Sequence, residues 1–258
     1  MKTVTSRDNA AYKAIAKLAT SSSERRREGL SLIEGTHLLD AFLGTGERPR
    51  ELLVTKAALE KAEVARLVER SSPARVTVLS DALFDALSGV QAPSGVIACV
   101  PTPGSRKVPP TAPLVLALEN IQDPGNVGTL LRSAAAAGAG HVLLSPTCAF
   151  AWSPKVLRAA MGAHFALNIV EGADLESFIG AYRGTTIALA VDGETSLYEL
   201  DLRTPAAFLI GNEGAGLSEG VKAGANHRTH IPMPGRMESL NAGIAGSLCL
   251  FEAVRQRA

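Results

Sequence analysis

A chain of 258 residues, 46% apolar and 20% charged, is long enough for one large or two modest domains and can bury a core without disulfides or metal. Its three cysteines, Cys99, Cys148 and Cys249, are far apart and none sits in a CxxC pair, which argues against a disulfide framework or a zinc site and for a reducing compartment. A formal net charge of +1 does not announce a nucleic-acid binder; with no apolar run near the ~18 residues of a membrane span and no charged-then-apolar leader, a soluble cytoplasmic protein is expected.

The first thirty residues carry Lys2, Arg7, Lys13, Lys17, Arg25, Arg26 and Arg27 against Asp8, Glu24 and Glu28. As a basic N-terminal arm this stretch would touch phosphate non-specifically; as a solvated helix and loop it would touch nothing. Short strands are then expected at 32–33 and 51–54, helices at 36–44 and 57–70, a strand at 75–79, a short helix at 81–87 and a strand at 95–100. That alternation suggests a small α/β domain. Residues 101–113 hold five prolines, which are excluded from helix interiors and central strands. Domains are therefore expected at 1–103 and 114–258, with a Pro-rich linker at 104–113.

In the second domain, 114–118 is a continuous apolar run, as in a strand buried on both faces. A helix at 127–137 can end on Gly138, and 141–144 is a strand. Ser153-Pro154 reads as an N-cap and first-turn proline opening a helix through 160. Strands at 187–191 and 207–210 and an extended pair at 230–231 precede a closing helix at 240–257. Leu240, Ile244, Leu248, Phe251 and Val254 form one stripe along it. The fold class is α/β, a mostly parallel sheet plus a small N-terminal α/β domain.

Three segments carry chemistry. Residues 119–132, ENIQDPGNVGTLLR, follow a buried strand and open a helix, at the sheet edge where open α/β folds bind ligands. Asn126 suits the N-cap there. Gly128 and Arg132, four apart, share a face on which a phosphate or ribose could approach the backbone; a solvated arginine on a helix flank is the competing reading. Residues 208–218, FLIGNEGAGLS, place three glycines in six residues, so main-chain groups can reach a ligand. Their GxxGxG spacing is neither a Walker loop nor a dinucleotide fingerprint. Residues 231–241, IPMPGRMESLN, form a stiff loop before the last helix, which Ser239 can cap, with Asn241 in its first turn.

Together, NIQDPGNVGTLLRSA, IGNEGAGLS and IPMPGRMESLNAGIA resemble, in order and spacing, the three motifs of the SpoU (TrmH-type) branch of the SPOUT RNA methyltransferases. The likeness covers the whole second domain. Through Glu34-Gly35 and residues 91–95, the first domain resembles the family's ribosomal-protein-L30e-like substrate-binding domain. The resemblance implies an S-adenosylmethionine-dependent enzyme that methylates an RNA ribose 2′-hydroxyl. It also implies a deep trefoil knot and a homodimer, built by the second domain, with both active sites at the interface. It places Gly211, Ile231 and Leu240 at backbone positions holding the cofactor's adenine and ribose, with Leu209, Ile210 and Met233 walling the same pocket. Arg132 matches the catalytic arginine; Asn126, Glu213, Ser239 and Asn241 match the polar positions around it, and no metal is implied. A guanidinium stays protonated below about pH 12, so Arg132 is expected to clamp phosphate and lower the hydroxyl pKa rather than act as a base. A phosphate oxygen, Glu213 or water would take the proton.

Two positions depart from the family pattern: Ala242-Gly243 where Val-Ser is frequent, and Ser94 where glutamine is frequent. Large-subunit ribosomal RNA is the expected substrate and transfer RNA the alternative. A non-catalytic RNA-binding protein of this fold is opposed by the intact polar set. A nucleotide-dependent oxidoreductase is opposed by the missing GxGxxG.

Overall fold

The computed structural model describes residues 1–258 and contains two compact units: residues 1–104 with 152–165, and residues 105–151 with 166–258. In the first unit the chain runs β1 (Lys2–Val4), α1 (Ala10–Thr20), α2 (Ser22–Glu28), β2 (Leu30–Glu34), α3 (Thr36–Gly44), β3 (Glu51–Thr55), α4 (Lys56–Leu59), α5 (Ala62–Arg70), β4 (Arg75–Leu79), α6 (Asp81–Asp85) and β5 (Val96–Pro101). The sheet order is β1-β4-β3-β5-β2, parallel between β1, β4 and β3 and antiparallel where β5 meets β3 and β2. Every residue of β3 is buried, as its central place requires.

The basic N-terminus is not an extended arm. Asn9 caps α1 by accepting from the amides of Ala11 and Tyr12. Tyr12, Ile15 and Leu18, three apart, then lie buried with Leu32, Leu53, Leu83 and Phe84. Arg25 is buried as well and donates to the carbonyls of Leu18 and Ala19. The helix expected at 57–70 is two helices. Thr55 Oγ1 accepts from Ala58 N at 3.1 Å to start α4, and the chain restarts at Lys61, turning Val64 and Leu67 of α5 inward.

The second unit runs β6 (Leu114–Leu118), α7 (Pro124–Ala136) and β7 (His141–Leu144). The chain then contributes α8 (Pro154–Ala160) to the first unit. It resumes with β8 (Asn168–Glu171), α9 (Leu175–Ala181), β9 (Thr185–Leu189), β10 (Thr195–Ser196), β11 (Ala206–Ile210), α10 (Glu219–Gly224), β12 (His227–His230) and α11 (Ala242–Arg257). Ser153 caps α8 and Pro154 opens it; Val156, Leu157 and Ala160 are buried. Nothing in the local sequence assigns this segment to the first unit, because its apolar face would suit either core.

The seven strands of the second unit are all parallel, in the order β10-β12-β9-β11-β6-β7-β8. Central β6 and β11 are apolar at every position and wholly buried. The three cysteines are free thiols; burial pushes Cys99 up to about 11 and Cys249 up to about 12, which suits packing rather than nucleophilic chemistry. No helix is long and apolar enough to cross a membrane.

Candidate active site

Parallel strands deliver their following loops to one sheet edge. At the carboxyl ends of the neighbours β12, β9 and β11, those loops enclose a cavity of about 260 Å³, near the small end of ligand sites. Its wall comprises residues 189–192 after β9, the turn 210–217 after β11, and Ile231, Met233, Ser239 and Leu240 before α11. Ala242 and Ala245 of α11 also line it.

The turn after β11 is built by its own sequence. Asn212 Oδ1 accepts from Gly214 N (2.9 Å) and Ala215 N (3.1 Å), while its Nδ2 donates to Asn120 O (3.2 Å). Gly216 N donates to Asn212 O at 2.8 Å. The turn closes so tightly that a Cβ on Gly211 would collide with the main chain of Gly216. Glu119 fixes the far end: its carboxylate accepts from both N and Oγ of Ser218, each at 2.7 Å.

Two helix caps differ from the sequence expectation. Asp123, not Asn126, caps α7, accepting from Asn126 N at 2.9 Å with Pro124 in the first turn. Asp-Pro combines a capping acceptor with a preset φ, so it displaces the later candidate. Likewise Asn241, not Ser239, caps α11, accepting from Ile244 N at 3.2 Å, and the helix begins at Ala242 rather than 240. These changes free the Asn126 amide for tertiary contacts. Its Nδ2 donates to Glu213 Oε1, and its Oδ1 accepts from Asn241 Nδ2 at 2.9 Å. Ala242 N also reaches Glu213 Oε1 at 3.4 Å. All three motifs thus meet at one polar cluster beside the cavity.

Of the residues expected to hold cofactor, Ile210, Gly211, Ile231, Met233 and Leu240 line the cavity. Leu209 does not. Strand alternation turns it to the opposite face of the sheet, fully buried with Val115, Ala117, Leu143 and Leu175. Glu213 and Ser239 are in the wall, and Asn126 and Asn241 are tied to it through Glu213. Arg132 is outside the wall, exposed, and without a hydrogen bond or ion pair in the chain. Its neighbours Thr129 and Ser133 touch α11: Thr129 packs beside Gly243, and Ser133 Oγ lies 2.7 Å from Ser247 Oγ. Sequence reasoning missed Asn212, Glu119 and the 189–192 wall. The position of 189–192 just after a buried parallel strand was the available signal; Glu119 and Asn212 carried none beyond their motifs.

The lining fits S-adenosylmethionine. Apolar Ile210, Leu217, Ile231 and Leu240 suit an adenine face, and the main chain of 211–217 offers amides and carbonyls to its edge. Asp192 and Glu213 suit a sulfonium and an ammonium, while Lys222 suits a carboxylate. No group of three or more His, Cys, Asp or Glu side chains is placed to hold a metal ion.

Fold and site together define a class: a two-unit α/β protein whose glycine-rich turn and stiff loop form a small-molecule cavity at the edge of a parallel sheet. Residues 113–251 match the model of the SpoU rRNA methylase family, and residues 9–98 match an MRM3-like substrate-binding domain. The chain belongs to the SpoU rRNA methylase family, and it is an S-adenosylmethionine-dependent RNA methyltransferase acting on a ribose 2′-hydroxyl.

Among individual relatives, it is 34% identical to an uncharacterized tRNA/rRNA methyltransferase of Synechocystis sp., over 98% of this chain and 94% of that one. It is 30% identical to the 23S rRNA (guanosine(2553)-2′-O)-methyltransferase RlmP of Bacillus subtilis, over 97% and 98%. The SpoU methyltransferase AviRb of Streptomyces viridochromogenes, solved in complex with AdoMet, superposes with a TM-score of 0.87 at 29% identity, covering 96% of this chain and 98% of that one.

Proposed function

We propose that this enzyme methylates a ribose of large-subunit ribosomal RNA, and that it does so as a homodimer in which Arg132 of one protomer serves the cavity of the other. The observation that carries the second half is the separation between Arg132 and the cavity within one chain. Beside Arg132, α11 exposes Ile244, Leu248 and Phe251, 38–54% accessible, an apolar stripe that a second copy would cover. The 23S rRNA activity of the Bacillus relative, which this chain matches nearly end to end, supports the ribosomal substrate. The family's trefoil knot, with α11 threaded through a loop, is part of the same reading.

When bound, S-adenosylmethionine supplies an electrophilic methyl carbon. The protein's task is to hold a 2′-oxygen in line with it, which can remove several kcal/mol of barrier. Arg132 would clamp the phosphate next to the target ribose bidentately and place positive charge near the hydroxyl. Glu213 is held by the Asn126 amide and Ala242 N through Oε1. That leaves Oε2 to accept the hydroxyl proton, directly or through water. Asn126 would act as a positioning residue, because both ends of its amide are engaged.

A mixing experiment tests the shared site. Arg132→Ala and Glu213→Ala proteins, each inactive alone, are allowed to exchange protomers and assayed for methyl transfer to ribosomal RNA. A site shared between protomers recovers activity in the mixed dimer, because one of its two sites has both an intact arginine and an intact cavity. Absence of recovery, with exchange verified, places Arg132 and Glu213 in the same chain's site.

A further inference from the structure

A second cavity lies away from the methylase site. It is a groove of about 510 Å³ in the first unit, between α1–α2 and the edge where β2, β3 and β4 begin. Lys13, Lys17, Arg27, Arg50 and Arg75 line it, with Glu24, Glu28 and Glu51. The carboxylates are already engaged. Glu24 and Glu28 both bind Arg27, and Glu51 is buried, accepting from Thr77 Oγ1 at 2.6 Å. Lys13 pairs with Asp8. Lys17, Arg50 and Arg75 are exposed and have no carboxylate partner. In a chain of net charge +1, three uncompensated cations from three separate elements face one groove.

We infer that this groove is a second RNA contact, binding the phosphodiester backbone of the substrate outside the target nucleotide. The proposal rests on the RNA-methyltransferase reading and deepens it. The groove is distinct from the edge of the same sheet that carries Glu34-Gly35 and 91–95. β2 begins at the groove with Leu30 and ends at that opposite edge with Glu34, about 13 Å away at strand rise. Two guanidinia and an ammonium on a rigid sheet edge and a packed helix suit phosphate oxygens, and they read no base. Such contacts add affinity and salt dependence and leave the choice of nucleotide to the methylase site.

The test uses the full-length protein and a labelled 30-nucleotide single-stranded RNA, with affinity measured across a salt series. Lys17→Ala/Arg50→Ala/Arg75→Ala should bind roughly tenfold more weakly at low salt, with the slope of log affinity against log salt reduced by about 2–3. The circular-dichroism spectrum and denaturant unfolding of the variant should match wild type, showing that the first unit stays folded, and calorimetric binding of S-adenosylmethionine in the second unit should be unchanged. Arg66→Ala/Arg183→Ala/Arg228→Ala removes the same charge from exposed positions outside the groove and should leave the slope near wild type. Arg50→Lys/Arg75→Lys should retain most of the affinity. Equal losses in both triple variants reduce the effect to net charge and overturn the proposal, as does an unchanged slope in the groove variant. Wild-type protein that fails to bind RNA at low salt refutes the underlying RNA reading instead.

Discussion

At the scale of single residues, the motifs contain side chains of two kinds, those that build the backbone and those left over for chemistry. Asp123, Asn212, Ser218 and Asn241 satisfy amides at helix starts and turns. Arg132 satisfies nothing within its own chain. A merely solvated arginine would change stability by less than about 0.5 kcal/mol on substitution and leave activity intact. In the proposed role, Arg132→Ala folds and binds S-adenosylmethionine yet loses single-turnover methyl transfer by a factor on the order of a hundred or more. Arg132→Lys rescues little, because it keeps the charge and loses the planar fork. Near-wild-type rates in both variants would move the chemistry to Glu213 and Ser239. Leu209 gives the opposite contrast. It is fully buried in the core and faces away from the cavity, so Leu209→Ala should cost about 2–5 kcal/mol in denaturant unfolding. Its affinity for S-adenosylmethionine, measured well below the unfolding midpoint, should stay within a few-fold of wild type. A selective loss of cofactor affinity without destabilisation would return Leu209 to the pocket wall.

At the scale of elements, the Pro-rich stretch is pinned as well as linking. Asn168, at the start of β8, accepts from Arg106 N at 2.7 Å and donates through Nδ2 to Arg106 O at 2.8 Å. Those two bonds fix its amide orientation, so the 3.0 Å contact from the same Nδ2 to His141 Nδ1 requires that ring nitrogen to accept. His141 must then be neutral. Burial and the nearby Arg106 charge both hold its pKa below the usual histidine value. The unfolded chain therefore binds the proton more readily than the folded one, and stability is lost as pH falls below about 6.5 toward the lowered folded value. Thermal melts from pH 8 to pH 5 should show His141→Gln less acid-sensitive than wild type across that window. Parallel pH profiles would contradict the assignment.

At the scale of the whole molecule, the exposed stripe on α11 is the feature a lone chain leaves unexplained. Helical spacing puts Leu240, Ile244, Leu248, Phe251 and Val254 on one stripe, the face an amphipathic helix ordinarily buries. Instead the buried face is made mostly of small residues, Ala242, Gly243, Ala245, Gly246, Cys249 and Ala253, with Leu250 and Glu252 as its large members. Gly246 sits so close to Leu130 of α7 that a Cβ there would collide with it, so the helix packs closely through its small residues and leaves Ile244, Leu248 and Phe251 outward. Ile244→Glu/Phe251→Glu should therefore give a folded monomer by light scattering at micromolar concentration, with methyl transfer abolished. A variant that remains dimeric would show that the stripe is not the interface.

Much of this protein was legible in its sequence. The apolar runs of β6 and β11 mark strands buried on both faces, and β-strand alternation with helices implies a parallel sheet whose loops gather at one edge. The three motifs carry nearly all the polar residues of the site because turns and caps are local chemistry. What tertiary structure alone decided was every choice between two locally acceptable options. Asp123 and Asn126 were both possible caps, as were Ser239 and Asn241. Leu209 and Ile210 were equally apolar, and only the packing of α11 against β11 assigns Ile210 to the cavity side. Segment 152–165 and the basic N-terminal helices could each have joined another surface or none. These outcomes depend on contacts between residues distant in the chain, and no local propensity encodes which of two similar faces finds a partner.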